Sequence, residues 1–131
     1  MKVAVVLLMC CVIQVQLKKV PSVMKDRWEQ MVSPFHDVCI NETKVQPSVA
    51  DRIFEDSHLP NDEHFKCYIK CLQEYLNFSI DGQFNVDQMV KGVYALTPEL
   101  AKSCVEKAYR ETNPCERAFF MAQCVVYTDV S

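Results

Sequence analysis

Cys67 and Cys71 sit four residues apart in an amphipathic stretch, Cys67-Tyr68-Ile69-Lys70-Cys71. On a helix, that spacing stacks both sulfurs on one face. Stacked this way, they are better placed to reach two other elements than to bond each other. Downstream of the N-terminal segment, Cys39 precedes the pair and Cys104, Cys115 and Cys124 follow it. The pair therefore reads as a hub stapled to both flanks, and any fold has to bring those flanks onto it.

The cysteine arithmetic turns on the first residues. Lys2 gives a positive start, and Val3 to Ile13 is an apolar run of 11 residues. Such a run is too short to span a bilayer but suits the hydrophobic region of an export signal. No good small-x-small cleavage site follows, so cleavage is placed near Gln16, giving a signal at 1–16 and one domain at 17–131. Cys10 and Cys11 leave with the signal, which reduces eight cysteines to six. Six cysteines in a short exported chain imply three disulfides, with 15 connectivities open. The expected location is extracellular.

Composition narrows the fold class. A chain of 131 residues argues for one domain. It has only two glycines, Gly82 and Gly92. Hairpins and tight turns draw on positive φ, which glycine supplies most easily, so a β-rich fold is disfavoured. Loss of Lys2 with the signal moves the formal charge from −3 to −4, and no basic run stands out. Nucleic acid is therefore a poor partner, and no membrane insertion is expected.

Apolar residues then recur at helical intervals. Met24, Trp28, Met31, Val32, Phe35 and Val38 predict a first helix, kinked or split at Ser33-Pro34. A second starts at Pro47 and carries Val49, Ile53 and Phe54 inward, ending by His58-Leu59-Pro60. Asp62 caps the hub helix, whose inner stripe is Phe65, Tyr68, Ile69, Leu72 and Leu76. Ile80-Asp81-Gly82-Gln83 is a turn, and Asn85 caps a fourth helix bearing Val86, Met89, Val90 and Val93. Thr97-Pro98-Glu99 opens a fifth, with Leu100, Cys104, Val105 and Ala108 inside. Asn113-Pro114-Cys115-Glu116 is a capping box for a sixth, with Ala118, Phe119, Ala122, Val125 and Val126 inside. Asn41-Glu42-Thr43, in a loop, and Asn77-Phe78-Ser79, at a helix end, are candidate glycosylation sequons at Asn41 and Asn77.

The spacing Cys39-x27-Cys67-x3-Cys71-x32-Cys104-x10-Cys115-x8-Cys124 resembles the six-cysteine signature of the insect odorant-binding and pheromone-binding proteins. The x3 and x8 intervals are its most diagnostic parts, while x32 is a few residues short of the usual value. Pro60-Asn61-Asp62-Glu63, Asp81-Gly82-Gln83-Phe84 and Asn113-Pro114-Cys115-Glu116 support the likeness, which covers about residues 24 to 127. The resemblance implies an all-α bundle of about six helices around an apolar cavity. It also implies interlocked disulfides Cys39–Cys71, Cys67–Cys115 and Cys104–Cys124. Each bridge stabilises a fold by roughly 2–4 kcal/mol, which can offset the cost of a hollow interior.

Carried over by position, the resemblance implies a pocket with Trp28, Phe35, Leu76, Phe84, Ala118 and Val125 in its wall. Periodicity adds Met89, Val93 and Ala122. Tyr75, Tyr94 and Gln123 are candidates for a polar anchor. Met and aromatic stripes are ordinarily plain core, and it is the resemblance that points to a cavity here. The seven residues after Cys124, Val125 to Ser131, are too few to fill a pocket as an extra helix, so no tail-insertion switch is expected. Any pH response would fall to His36, His58 or His64.

Enzymatic readings find little support. His36-Asp37-Val38-Cys39 invites comparison with secreted phospholipase A2, but the adjacent cysteines and glycine-rich calcium loop of that family are missing. His36 reads instead as a solvated helix-end residue. No Gly-x-Ser-x-Gly elbow is present, and His58 and His64 lack zinc-like spacing. No catalysis, cofactor or metal is expected. The implied function is a secreted carrier of small hydrophobic ligands, odorants or pheromones, through aqueous fluid such as sensillar lymph. Its expected partners are a small apolar volatile ligand and, downstream, an olfactory receptor, with the protein a monomer or weak homodimer. The alternatives are ligand sequestration in saliva, venom or reproductive fluid on the same scaffold, or a secreted helical toxin or lipid hydrolase.

Overall fold

The computed structural model describes residues 20–55 and 59–128. The proposed signal at 1–16, His58 and residues 129–131 lie outside those stretches. Among the described residues, seven α-helices and one short hairpin follow in order: α1 Ser22–Val32, α2 His36–Thr43, α3 Pro47–Ala50, α4 Glu63–Tyr75, β1 Ser79–Ile80, β2 Gln83–Phe84, α5 Val86–Gly92, α6 Pro98–Ala108 and α7 Pro114–Thr128.

The expected break at Ser33-Pro34 is real. A 3₁₀ turn over Ser33–Phe35 separates α1 from α2, and Pro34 lies in its first positions, where a missing N–H costs nothing. No side chain caps this turn, so Ser33 is not the capping hydroxyl that the sequence suggested. The second predicted helix is shorter than its apolar spacing implied. Regular α3 stops at Ala50, and successive turns carry Ile53 and Phe54 into the core. Phe54 has φ 69°, a left-handed conformation that cannot continue a helix. Asn41 is exposed within α2 and not in a loop, whereas Asn77 is exposed at φ 60° just past α4.

Capping follows the sequence closely elsewhere. Asp62 accepts from Phe65 N at 2.8 Å, Asn85 from Gln88 N at 3.1 Å, and Thr97 Oγ1 from Leu100 N at 3.2 Å. Asn113 Oδ1 accepts from Cys115 N and Glu116 N. Asp81 and Gly82 both have positive φ, at 51° and 78°. That pair suits a two-residue hairpin turn, and it pairs Ser79 with Phe84 and Ile80 with Gln83.

Helix α4 is the centre of the molecule, packed chiefly on α7 and α2. Its inner stripe is deeply buried: Phe65 and Tyr68 at 0 % exposure, Leu72 at 3 % and Ile69 at 4 %. The three disulfides are Cys39–Cys71, Cys67–Cys115 and Cys104–Cys124. The first ties α2 to α4, the second α4 to the first turn of α7, and the third α6 to α7. Their sequence separations are 32, 48 and 20 residues.

One cation is buried on the hub. Lys66, 6 % exposed, donates to Glu116 Oε1 at 2.6 Å and Glu63 Oε1 at 3.1 Å, and lies 5.4 Å from the Phe119 ring centre. Glu116, the expected capping-box acid, thus serves as a counter-ion between α7 and α4. Its hydrogen bond holds the Lys66 ammonium above its ordinary pKa of 10.5, against the opposing effect of burial. Burial likewise raises the Tyr68 phenol, with Asp51 and Asp37 adding to the shift.

Two predictions follow from these staples. In the loop-entropy model, removing Cys67–Cys115 as a double serine variant lowers stability by about 4 kcal/mol, and removing Cys104–Cys124 by about 3 kcal/mol. Denaturant titration checks the magnitude and the order. A group whose pKa is raised on folding contributes stability that is whole below its unfolded value and lost as pH rises past it. With Lys66 and Tyr68 both raised, the melting temperature should hold near neutrality and fall above about pH 10. Glu116→Gln should flatten that alkaline fall; an unchanged slope would discount the Lys66 pair.

Candidate functional site

Between the hub and its flanks lies an apolar cavity of about 80 Å³, taken as the space open to the centre of a water-sized sphere. Helix α1 contributes Trp28, Met31 and Val32, and the segment after α3 contributes Ile53, Phe54 and Leu59. Helix α4 and its exit supply Ile69, Leu72, Gln73, Leu76 and Phe78. Met89 and Val93 come from α5 and its C-cap, and Met121, Ala122, Val125 and Val126 from α7. Other depressions among the described residues hold 260 to 390 Å³, but their walls include charged or polar groups such as Asp26, Glu29, Lys70, Asp37 and Asn85.

The wall is positioned by local chemistry. Trp28, 1 % exposed, donates its indole N–H to Tyr94 O at 3.2 Å, tying α1 to the chain after α5. Its ring meets Phe54 at 5.4 Å between centroids, so burial of Phe54 offsets the roughly 1–2 kcal/mol cost of its left-handed backbone. On the far side of α4, Tyr68 OH lies 2.7 Å from His36 Nδ1, and His36 Nε2 lies 2.9 Å from Asp51 Oδ1. The carboxylate can only accept, so Nε2 carries a proton toward Asp51; in the neutral ring Nδ1 then accepts from the phenol. This chain latches α2 and the end of α3 onto the hub. His36 is therefore not the solvated helix-end residue expected: its side chain is 25 % exposed and bonded through both nitrogens. His64 is exposed and donates to Thr43 O at 3.0 Å.

Six of the nine residues assigned to the pocket wall border this cavity: Trp28, Leu76, Met89, Val93, Ala122 and Val125. The other three do not. Phe35 stacks on Tyr75 at 5.5 Å, and Phe84 packs on Tyr109 at 5.5 Å. Ala118 is buried behind the wall, where its carbonyl accepts from Gln73 Nε2 at 2.9 Å. None of the three proposed polar anchors reaches the cavity. Tyr75 is exposed and donates to Glu42 Oε1 at 2.7 Å, Tyr94 is exposed beneath Arg27, and Gln123 is half-buried outside the lining.

Of the lining residues outside that assignment, Leu59, Gln73, Phe78 and Met121 are also not among those that periodicity turned inward. For Gln73 a signal existed. Ile69, Leu72, Gln73 and Leu76 stand at i, i+3, i+4 and i+7, so a polar residue occupies the buried stripe. Ile53 and Phe54, turned inward by their spacing, reach the wall from outside regular helix, and Leu59 lies in a segment where periodicity is silent. Among the described residues, no group of three or more His, Cys, Asp or Glu side chains is arranged to hold a metal, and no helix is long and apolar enough to cross a membrane.

The sequence matches known proteins. The family model described as the PBP/GOBP family aligns with residues 22–127. The chain belongs to the PBP/GOBP family. General odorant-binding protein 72 of Anopheles gambiae is 24 % identical over 111 residues, covering 79 % of this chain and 91 % of that protein. General odorant-binding protein 99a of Drosophila melanogaster is 29 % identical over 112 residues, covering 79 % of this chain and 77 % of the relative. No solved structure matches the chain significantly. Membership in this family supports a small-ligand-binding carrier, and the matched segment contains the helices, the disulfides and the cavity wall.

Gly92 tests how tightly the wall is built. A Cβ there would sit 2.9 Å from Cε1 and Cζ of the buried Phe78 ring, closer than atoms pack. Phe78 is itself a lining residue, so the ring has to move for a methyl to fit. Gly92→Ala should cost about 1–3 kcal/mol and alter affinity for an apolar probe. Unchanged melting and unchanged probe binding would show that the ring moves freely.

Proposed function

We propose that the protein is a secreted carrier that takes up small hydrophobic ligands, odorants or pheromones, and moves them through aqueous fluid such as sensillar lymph. The observation that carries this reading is a nearly wholly apolar cavity framed by three disulfides in a chain of this family. The names of the two relatives, both general odorant-binding proteins, support the ligand class. The signal-like run at the N-terminus and the disulfides, which persist in oxidising compartments, support secretion.

The mechanism is partition without turnover. Poorly held water leaves the cavity, and an apolar ligand gains about 25 cal/mol for each Å² of its surface taken out of water, less the cost of ordering it. Met31, Met89 and Met121 make a wall that adapts to varied shapes, because thioether chains are unbranched and flexible. The remaining chain supplies the rigid frame. Binding as a monomer or weak homodimer and release near a membrane receptor complete the proposal.

Trp28 is the only tryptophan in the chain, and it stands in the cavity wall. Its emission therefore reports directly on occupancy. Volatile alcohols, esters or aldehydes should change Trp28 emission and displace a fluorescent naphthylamine with micromolar affinity. A protein that neither binds the naphthylamine nor shows any change in Trp28 emission is not such a carrier. Turnover of lipid or ester substrates would favour a hydrolase instead.

A further inference from the structure

The two sequons play no part in the cavity, and the fold treats them differently. In Asn77-Phe78-Ser79 the asparagine is exposed, Phe78 is 6 % exposed and Ser79 is half-buried. The Phe78 ring anchors the middle of the sequon in the cavity wall, while Ser79 borders the groove beside the hairpin. The backbone leaves α4 through a left-handed turn, φ 60° at Asn77, and enters β1 at Ser79. Phe78 N closes the helix end on Gln73 O at 2.9 Å. A left-handed position favours asparagine on its own account, but a helix end has no need of a hydroxyl two residues further on. Asn41-Glu42-Thr43 is built otherwise. It lies inside α2, where residues two apart do not share a face. Its hydroxyl is turned back onto the helix, Thr43 Oγ1 donating to Cys39 O at 2.6 Å. A glycan acceptor belongs on a surface turn, and of the two sequons Asn77 is the one that has it.

The adjoining hairpin supplies a use for a sugar. Strands β1 and β2 form a two-stranded sheet, so each has an open edge, and Ile80 on β1 is 47 % exposed. An apolar open edge pairs with other chains unless something covers it. Resting on the secretion in the carrier reading above, we propose that Asn77 is the principal N-glycosylation site of the chain and that its sugar covers Ile80 and the edge of β1. The Asn77 amide nitrogen bonds the anomeric carbon of a lipid-pyrophosphate-linked oligosaccharide. The bond from that carbon to the pyrophosphate oxygen breaks, the lipid pyrophosphate leaves, and the nitrogen gives up one proton. Such a group is bulky and solubilising, and it starts three residues from Ile80.

The test expresses the full-length chain in insect cells and measures the intact mass of the protein in the medium before and after peptide-N-glycosidase. The enzyme should remove a glycan mass and convert the Asn77 amide to a carboxylate, which peptide mapping reads at that position. Ser79→Ala keeps the left-handed asparagine and should abolish that mass, as should Asn77→Asp, since aspartate also tolerates positive φ. Native protein stripped by the enzyme should shift on gel filtration from one species toward larger ones, and stripped Ile80→Thr should not. Protein secreted without sugar at Asn77, or with higher occupancy at Asn41, would overturn the site. Stripped wild type that elutes without any larger species would overturn the covering role. A chain that is made but never reaches the medium, its N-terminal segment uncleaved, would sink the secretion reading instead.

Discussion

The structure depends on two sulfurs held on one face of α4. Cys71 fastens α2 and Cys67 fastens α7, so contacts spanning 32 and 48 residues are covalent. A domain of this size buries a limited core, and leaving part of that core empty forfeits dispersion contacts along every wall. Because the bridges act largely on the unfolded chain, they add stability without filling the interior. Cys104–Cys124 then fixes α6 behind α7, completing the frame from the outside. The hollow and the cross-links are two sides of one arrangement.

Around that frame, polar groups taken out of water are treated in three ways. Lys66 is surrounded by acids from α4 and α7, so the charge is neutralised where it is buried. Tyr68 is satisfied through His36, which is in turn bonded to Asp51, giving a relay from the core to the surface. Among the described residues, Gln73 is the buried side chain left half satisfied. The first two groups lie away from the cavity and lock helices together. The third lies in its wall.

Much of the fold was legible in the chain because its signals are local. Capping residues at Asp62, Asn85, Thr97 and Asn113 act within three residues of their own positions, and all four form the expected bonds. The disulfide pairing came from resemblance, since spacing alone left 15 possibilities. The shortness of α3 was not legible. Val49, Ile53 and Phe54 are spaced for a helix, but packing of Phe54 against Trp28 holds its backbone in the left-handed region instead. Phe35, Phe84 and Ala118 show the limit of carrying a pocket over by position: each is near the wall in sequence, yet its side chain packs elsewhere.

By itself, the sequence determined the helical class, the helix starts, the hub and the apolar stripe that faces inward, because hydrophobic period and capping chemistry operate over one or two turns. Only the tertiary structure decided which members of that stripe face empty space and which face another side chain. It also decided that Glu116 pairs with Lys66 and that one end of Gln73 goes without a partner. A void is the failure of several distant surfaces to meet, and no short-range pattern records it. The stacked pair Cys67 and Cys71 announces that flanks will be held, whereas the room left between them depends on the angles at which those flanks arrive.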